Sequence, residues 1–175
     1  LRLYEPPRSL YASLTAVYRL DHAVPADRRC SSTAKDMLLS AMRDTSVYKV
    51  RENRGAALGR VSLNDYIELD FTDLRQIVYR DLPREAFDIG MIFLHELAHR
   101  HLKLKDPSKE EIKNYSLVKG DTVSLINMIE RELKLPQRRH YAPVQIRRMT
   151  GEIKWGIYYG NGTDRVELNP NFGLK

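Results

Sequence analysis

Residues 93–101 read Phe93-Leu94-His95-Glu96-Leu97-Ala98-His99-Arg100-His101. His95 and His99 are four positions apart, so on a helix their Cβ atoms lie about 5–6 Å apart on one face. Two imidazoles leaning toward one point can each offer a nitrogen at about 2.0–2.1 Å to a tetrahedral zinc ion. Glu96 falls one position round the helix from His95, beside such an ion without ligating it. From there its carboxylate can take a proton from water that the ion acidifies to a pKa near 7. The preceding Met91-Ile92-Phe93-Leu94 is apolar all round, so the helix runs through the core. Two imidazoles and a carboxylate are costly to bury there without partners. The competing reading is a pair of satisfied core histidines beside a surface glutamate.

Outward from this segment the chain organises readily. Pro83 suits a helix start, and residues 84–105 read as one long helix stopped by Asp106 and Pro107. Ser108 with Glu111 three residues later is a capping box for a short next helix. Residues 121–133 read as a further helix with Val123, Ile126, Ile129 and Leu133 inward. Upstream, residues 33–43 carry Ala34, Met37, Leu38 and Ala41 at helical spacing behind Thr33, the expected N-cap. Residues 46–51 are β-rich, and residues 60–63 and 66–71 flank Asn64 and Asp65, a turn pair. Residues 152–159 and 165–168 flank Gly160-Asn161-Gly162-Thr163, a hairpin signal. The order implies an α+β fold with an antiparallel sheet packed on the long helix and a second helix. Residues 1–30, with Pro6, Pro7 and Pro25, read as an irregular arm, and residues 31–175 as a single domain.

The 175 residues can bury a core without staples. No apolar run approaches the roughly 18 residues needed to span a bilayer, so no membrane partner is expected. The chain begins with Leu1 and reads as a processed chain or a piece of a longer one. Cys30 is the only cysteine, which excludes an internal disulfide and any multi-cysteine metal site and is compatible with a reducing compartment. The net charge of +6 permits attraction to acidic partners. Arg138, Arg139, Arg147 and Arg148 concentrate part of that excess. A solvated basic face is its ordinary meaning, and a nucleic-acid-associated protein is the rival it raises.

His95, Glu96 and His99 with their uncharged neighbours Leu94, Leu97 and Ala98 resemble the helix motif of the zincin metallopeptidases. Arg100 departs from that pattern, because the position is usually uncharged. The tight likeness covers about ten residues, and a looser one, in the order of strand and helices, covers residues 66–141. What the resemblance implies is a zincin-like domain that hydrolyses peptide bonds of a protein or peptide substrate, with Zn²⁺ on His95 and His99 and Glu96 as general base. A third histidine six residues after the second is ruled out, because Lys105 stands there. The gluzincin class takes a carboxylate from the next long helix instead, which implies Asp121. An N-cap role for Asp121 competes, and Glu110 and Glu111 are the substitutes. Residues 133–141 look locally like the segment after the second helix in bacterial effector- and toxin-type zinc metallopeptidases. That likeness implies Arg138 near the cleft and Tyr141 as a donor to the oxyanion, with structural packing the competing reading of Tyr141 and His140 a lesser rival. Zincins also present an edge strand to extended substrate; residues 66–71 are the candidate, with an ordinary internal strand as the competing reading. A zincin-shaped module that binds metal without turnover is the remaining alternative.

Overall fold

The structure is a computed structural model that describes residues 30–54, 58–114 and 118–168; all but the last residue of the expected N-terminal arm lies outside them. Its helices are α1 (Ser32–Arg43), α2 (Phe71–Arg75), α3 (Ile89–Leu102), α4 (Lys109–Asn114) and α5 (Gly120–Glu132). Its strands are β1 (Lys49–Glu52), β2 (Gly59–Val61), β3 (Tyr66–Leu69), β4 (Val78–Arg80), β5 (Val144–Arg147), β6 (Ile153–Tyr158) and β7 (Arg165–Leu168). This is an α+β fold. One sheet has the order β1-β3-β2 and the other β4-β7-β6-β5.

The four-stranded sheet is antiparallel throughout, as expected, with the 160–163 turn joining β6 to β7. The smaller sheet is mixed, because β1 runs parallel to β3 while β2 returns antiparallel through the turn at Asn64 and Asp65. The β3 run also stops earlier than its alternation suggests. Asp70 accepts hydrogen bonds from the backbone N–H of Thr72 and Asp73 and so caps α2, turning Phe71 into a helical residue.

The long helix expected over 84–105 is divided. Residues Arg84–Phe87 form a 3₁₀ turn, the backbone extends at Asp88, and Asp88 then caps α3 by accepting from Met91 N–H. At the far end Lys103 takes a left-handed conformation (φ 57°) and its N–H closes on the Ala98 carbonyl. The chain therefore folds back along α3 three residues before the expected stop. The first helix begins a position early, because Ser31, not Thr33, is its cap, accepting from Ala34 N–H. Thr33 instead hydrogen-bonds the Glu132 carboxylate through its Oγ1 and N–H.

α3 is the centre of the core: Met91, Ile92, Phe93, Leu94, Leu97 and Ala98 are all buried. α5 packs Val123, Ile126 and Ile129 inward, and α1 contributes Ala34, Met37, Leu38 and Ala41. Ile67 and Leu69 bury the inner face of β3, but its outer face is not wet as alternation implies. Glu68 is fully buried beneath Arg51, Asn53 and Arg60, which hydrogen-bond its two oxygens. Glu167 on β7 repeats the device under Arg80, Arg148 and Arg165. In each sheet a carboxylate on an inner strand becomes the anchor for arginines from its surroundings, which satisfies the buried charge.

Candidate active site

α3 carries His95 and His99 on one face, with their Nε2 atoms 3.2 Å apart. Because the chain doubles back at Lys103, Leu104 and Asp106 lie alongside the same face. His99 Nδ1 donates to the Leu104 carbonyl at 2.7 Å, a tautomer that aims the lone pair of Nε2 at the cluster. Asp106 closes the group, its Oδ2 3.1 Å from His99 Nε2 and its Oδ1 3.6 Å from His95 Nε2. Asp106 Oδ1 is buried and has no hydrogen-bond partner among the described residues.

These three residues are the candidate metal-holding set among the described residues. Ligands about 2.05 Å from a tetrahedral ion stand about 3.3 Å from one another. The closest approaches of 3.2, 3.1 and 3.6 Å lie near that edge length, the last two made by different oxygens of Asp106, and one ligand atom from each residue falls within 4.8 Å of the other two. The donor set of two imidazoles and one carboxylate is also one that zinc accepts in sites with an open fourth position. Burial, reinforced by Arg138, pulls His95 down to about 3, so it stays neutral at pH 7 with a free lone pair. For His99 burial acts downward, but its hydrogen bonds to Asp106 and Leu104 prevail and raise it.

The structure does not bring Asp121 to this pair. Asp121 sits exposed in the first turn of α5. The residue which that turn directs at His99 is Thr122, fully buried, with Oγ1 3.4 Å from His99 Nδ1. The inward arc at this turn is filled by Thr122 and Val123, and Asp121, about 100° back from Thr122, falls on the exposed side. Glu110 and Glu111 are likewise exposed on α4, and Glu111 is spent on the capping box with Ser108.

Glu96 lies beside His95 and is 6% exposed. Burial raises its carboxyl to about 7, against the opposing pull of His99. It packs against β2, where a methyl group at Gly59 would come within 3.0 Å of Glu96 Cγ and Oε1. A side chain there would require Glu96 and Ile92 to give way by a few tenths of an ångström, so glycine lets the strand approach closely. Among the described residues β2 is also an edge strand of its sheet, a place sequence reasoning offered to residues 66–71. Those residues form β3, which is central. The Leu58 carbonyl accepts from Asp70 N–H and Ser62 N–H donates to Tyr66. By antiparallel alternation the N–H and C=O of Gly59 and Val61 therefore face away from β3.

Tyr141 reaches the site, but its hydroxyl donates to Asp106 Oδ2 at 2.8 Å and its ring stacks 6.5 Å from that of His95. Burial and the Asp106 charge push the phenol up, so it keeps its proton. Its hydroxyl thus orients the third member of the cluster. Arg138 lines the same cavity, yet its Nε donates to the His140 carbonyl at 2.9 Å and its Nη2 to that of Tyr141. It holds the 138–141 segment in place. His140 is buried with Nδ1 on the Ala142 carbonyl and Nε2 receiving Tyr158 N–H. His101 meets Tyr48 and Ser40 on another side of α3.

A cavity of about 300 Å³ opens next to His95 and Glu96. Phe87, Met91, Ile92, Ile157 and Tyr159 give it apolar walls, and Glu130 lies at its lining. Glu130 Oε2 accepts from Arg138 N–H at 3.1 Å, while Oε1 has no partner among the described residues. Burial raises this carboxyl to about 8. An unfolded glutamate ionises near 4.5, so between these values the folded state holds a proton that the unfolded state releases. Stability then falls as pH rises through that window, by about 1.4 kcal/mol per unit for one such group. Glu130→Gln keeps the acceptor for Arg138 N–H and cannot ionise. Urea unfolding at pH 5.5 and 7.5 should show the wild type losing roughly 2 kcal/mol more than the variant. Equal losses in both proteins would refute the neutral buried acid.

Sequence reasoning missed Asp106, Glu130 and Gly59. Asp106 was visible only as a helix stop, and Gly59 carried no signal of its own. No helix among the described residues is long and apolar enough to cross a membrane. Comparison with protein-family models, with curated proteins and with solved structures finds no match.

Proposed function

We propose that the chain is a zinc-dependent metallopeptidase that cleaves within extended polypeptides. The observation that carries this reading is the clustering of His95 Nε2, His99 Nε2 and the two oxygens of the Asp106 carboxylate, next to the buried carboxyl of Glu96. His95, His99 and Asp106 would hold the ion, and Tyr141 would fix Asp106. A bound zinc ion would supply Lewis acidity toward a carbonyl and lower the pKa of water to about 7. Glu96 takes the proton of the attacking water and returns it to the departing amine. Burial suits it to both tasks, since a carboxyl near 7 gives and accepts protons readily at neutral pH. The edge of β2, unpaired among the described residues, offers main-chain hydrogen bonds to an extended substrate, and the cavity beside His95 receives one of its side chains.

Metal analysis with a chelator-reversal assay tests the reading. The purified chain should carry close to one zinc, and His95→Ala should lose it while keeping its circular dichroism spectrum. Cleavage of an unfolded protein such as casein should stop with chelator and return with zinc. Zinc without any cleavage would indicate a binding module, and a chain with no affinity for zinc would end the proposal.

A further inference from the structure

The alternation of β2 places its two faces against different surroundings. Gly59 faces α3, against Glu96 and Ile92. Arg60 points to the opposite face, where it is 52% exposed and donates through Nε to the buried Glu68. Its two Nη groups make no hydrogen bond among the described residues. The carboxylate beneath is already held by Arg51 and Asn53 as well, so the outer face of this sheet has more cation than anion. Lys49, on the same face, lies over the Tyr66 ring at 5.4 Å, and Arg51 over it at 4.4 Å. With Glu68 the only acid named among them, Lys49, Arg51 and Arg60 leave a net +2.

A strand laid on the edge of β2 inherits this alternation. The substrate residue opposite Gly59 turns toward α3 and the cavity beside His95. Its neighbour in sequence stands opposite Arg60 on the outer face, at the 4.5–5.5 Å Cβ separation of a cross-strand pair. Resting on the peptidase reading above, we infer that Arg60 is a specificity-determining residue that selects an acidic side chain next to the residue filling the cavity. The anchor beneath matters. Because Glu68 already holds the guanidinium through Nε, less side-chain entropy is lost when the remaining Nη groups pair with a docked strand. A basic substrate residue there would meet like charge.

The test uses the zinc-loaded protein and a peptide series with one large apolar residue, bearing Glu, Gln or Lys at either flanking position. The readout is the ratio of kcat/KM between peptides within each enzyme, which cancels differences in folding or zinc content. At one of the two positions the wild type should prefer Glu to Gln by about two- to fivefold at low salt, with Lys poorer still. That preference should shrink at 0.5 M salt, where screening is strong. In Arg60→Gln the ratio should fall to about one. Cleavage with no charge preference at either position, or a preference unchanged in Arg60→Gln, would overturn the assignment and leave the peptidase reading standing. Absence of cleavage of every peptide would overturn both.

Discussion

Glu96→Gln is expected to keep its zinc and to lower kcat/KM on an unfolded protein substrate by at least about a hundredfold, within the range general acid–base catalysis supplies. Glutamine matches glutamate in shape, so the contact with Gly59 survives and β2 keeps its place on α3. What is lost is the ability to accept and return a proton. Glu96 lies outside the cluster of His95, His99 and Asp106, so the substitution removes no ligand. Removing a buried carboxyl that is already costly to ionise also predicts a fold at least as stable as wild type. Activity and stability should therefore move independently. Glu96→Asp, one methylene shorter, should retain a proton carrier drawn back from the site and fall between the two. Wild-type turnover in Glu96→Gln would assign the base elsewhere, and loss of zinc would make Glu96 a ligand.

Much of this site was legible because its main elements are local. A four-residue spacing on an apolar helix places two imidazoles together whatever the rest of the chain does, and α3 does so. The α+β class followed from periodicities and turn pairs for the same reason. The misreadings share a different cause. Residues 66–71 stood open between edge and internal strand, and β3 is internal, because a strand's place in a sheet is decided by its partners, which are non-local. Strand β5 and the short β4 lack a turn pair like the one that marks β6 and β7, and they exist through their ladders with β6 and β7. Glu68 and Glu167 occupy positions that a period of two assigns to water, yet arginines packed around them take them under cover. Asp106 illustrates the limit most clearly. Asp before Pro signals the end of a helix, and only the left-handed turn at Lys103 converts that ending into an approach to His99.

The same turn sets up a direct contest between two aspartates. Asp106→Asn should weaken zinc binding by more than about a hundredfold, since even outer partners of metal ligands are worth 10- to 100-fold. Asp121→Asn should leave the affinity within about twofold of wild type. Both changes are isosteric, both remove one negative charge from the chain, and competition with a chromophoric chelator reads them on one scale. The alternative, in which Asp121 supplies the third oxygen, can be weighed before the measurement. Turning Asp121 inward requires α5 to rotate by about one residue, roughly 100°. That rotation would carry Val123 and Ile129, both at 0% exposure, out of the core together with Ile126. Each such side chain is worth about 1.5–3 kcal/mol when buried. Asp106 demands no such repacking, because its oxygens already stand 3.1 and 3.6 Å from the two imidazole nitrogens and Tyr141 already holds it there. Zinc lost from Asp121→Asn and kept in Asp106→Asn would mean that the metal-loaded protein makes that rotation, and the ligand set argued from α3 and its returning loop would fall.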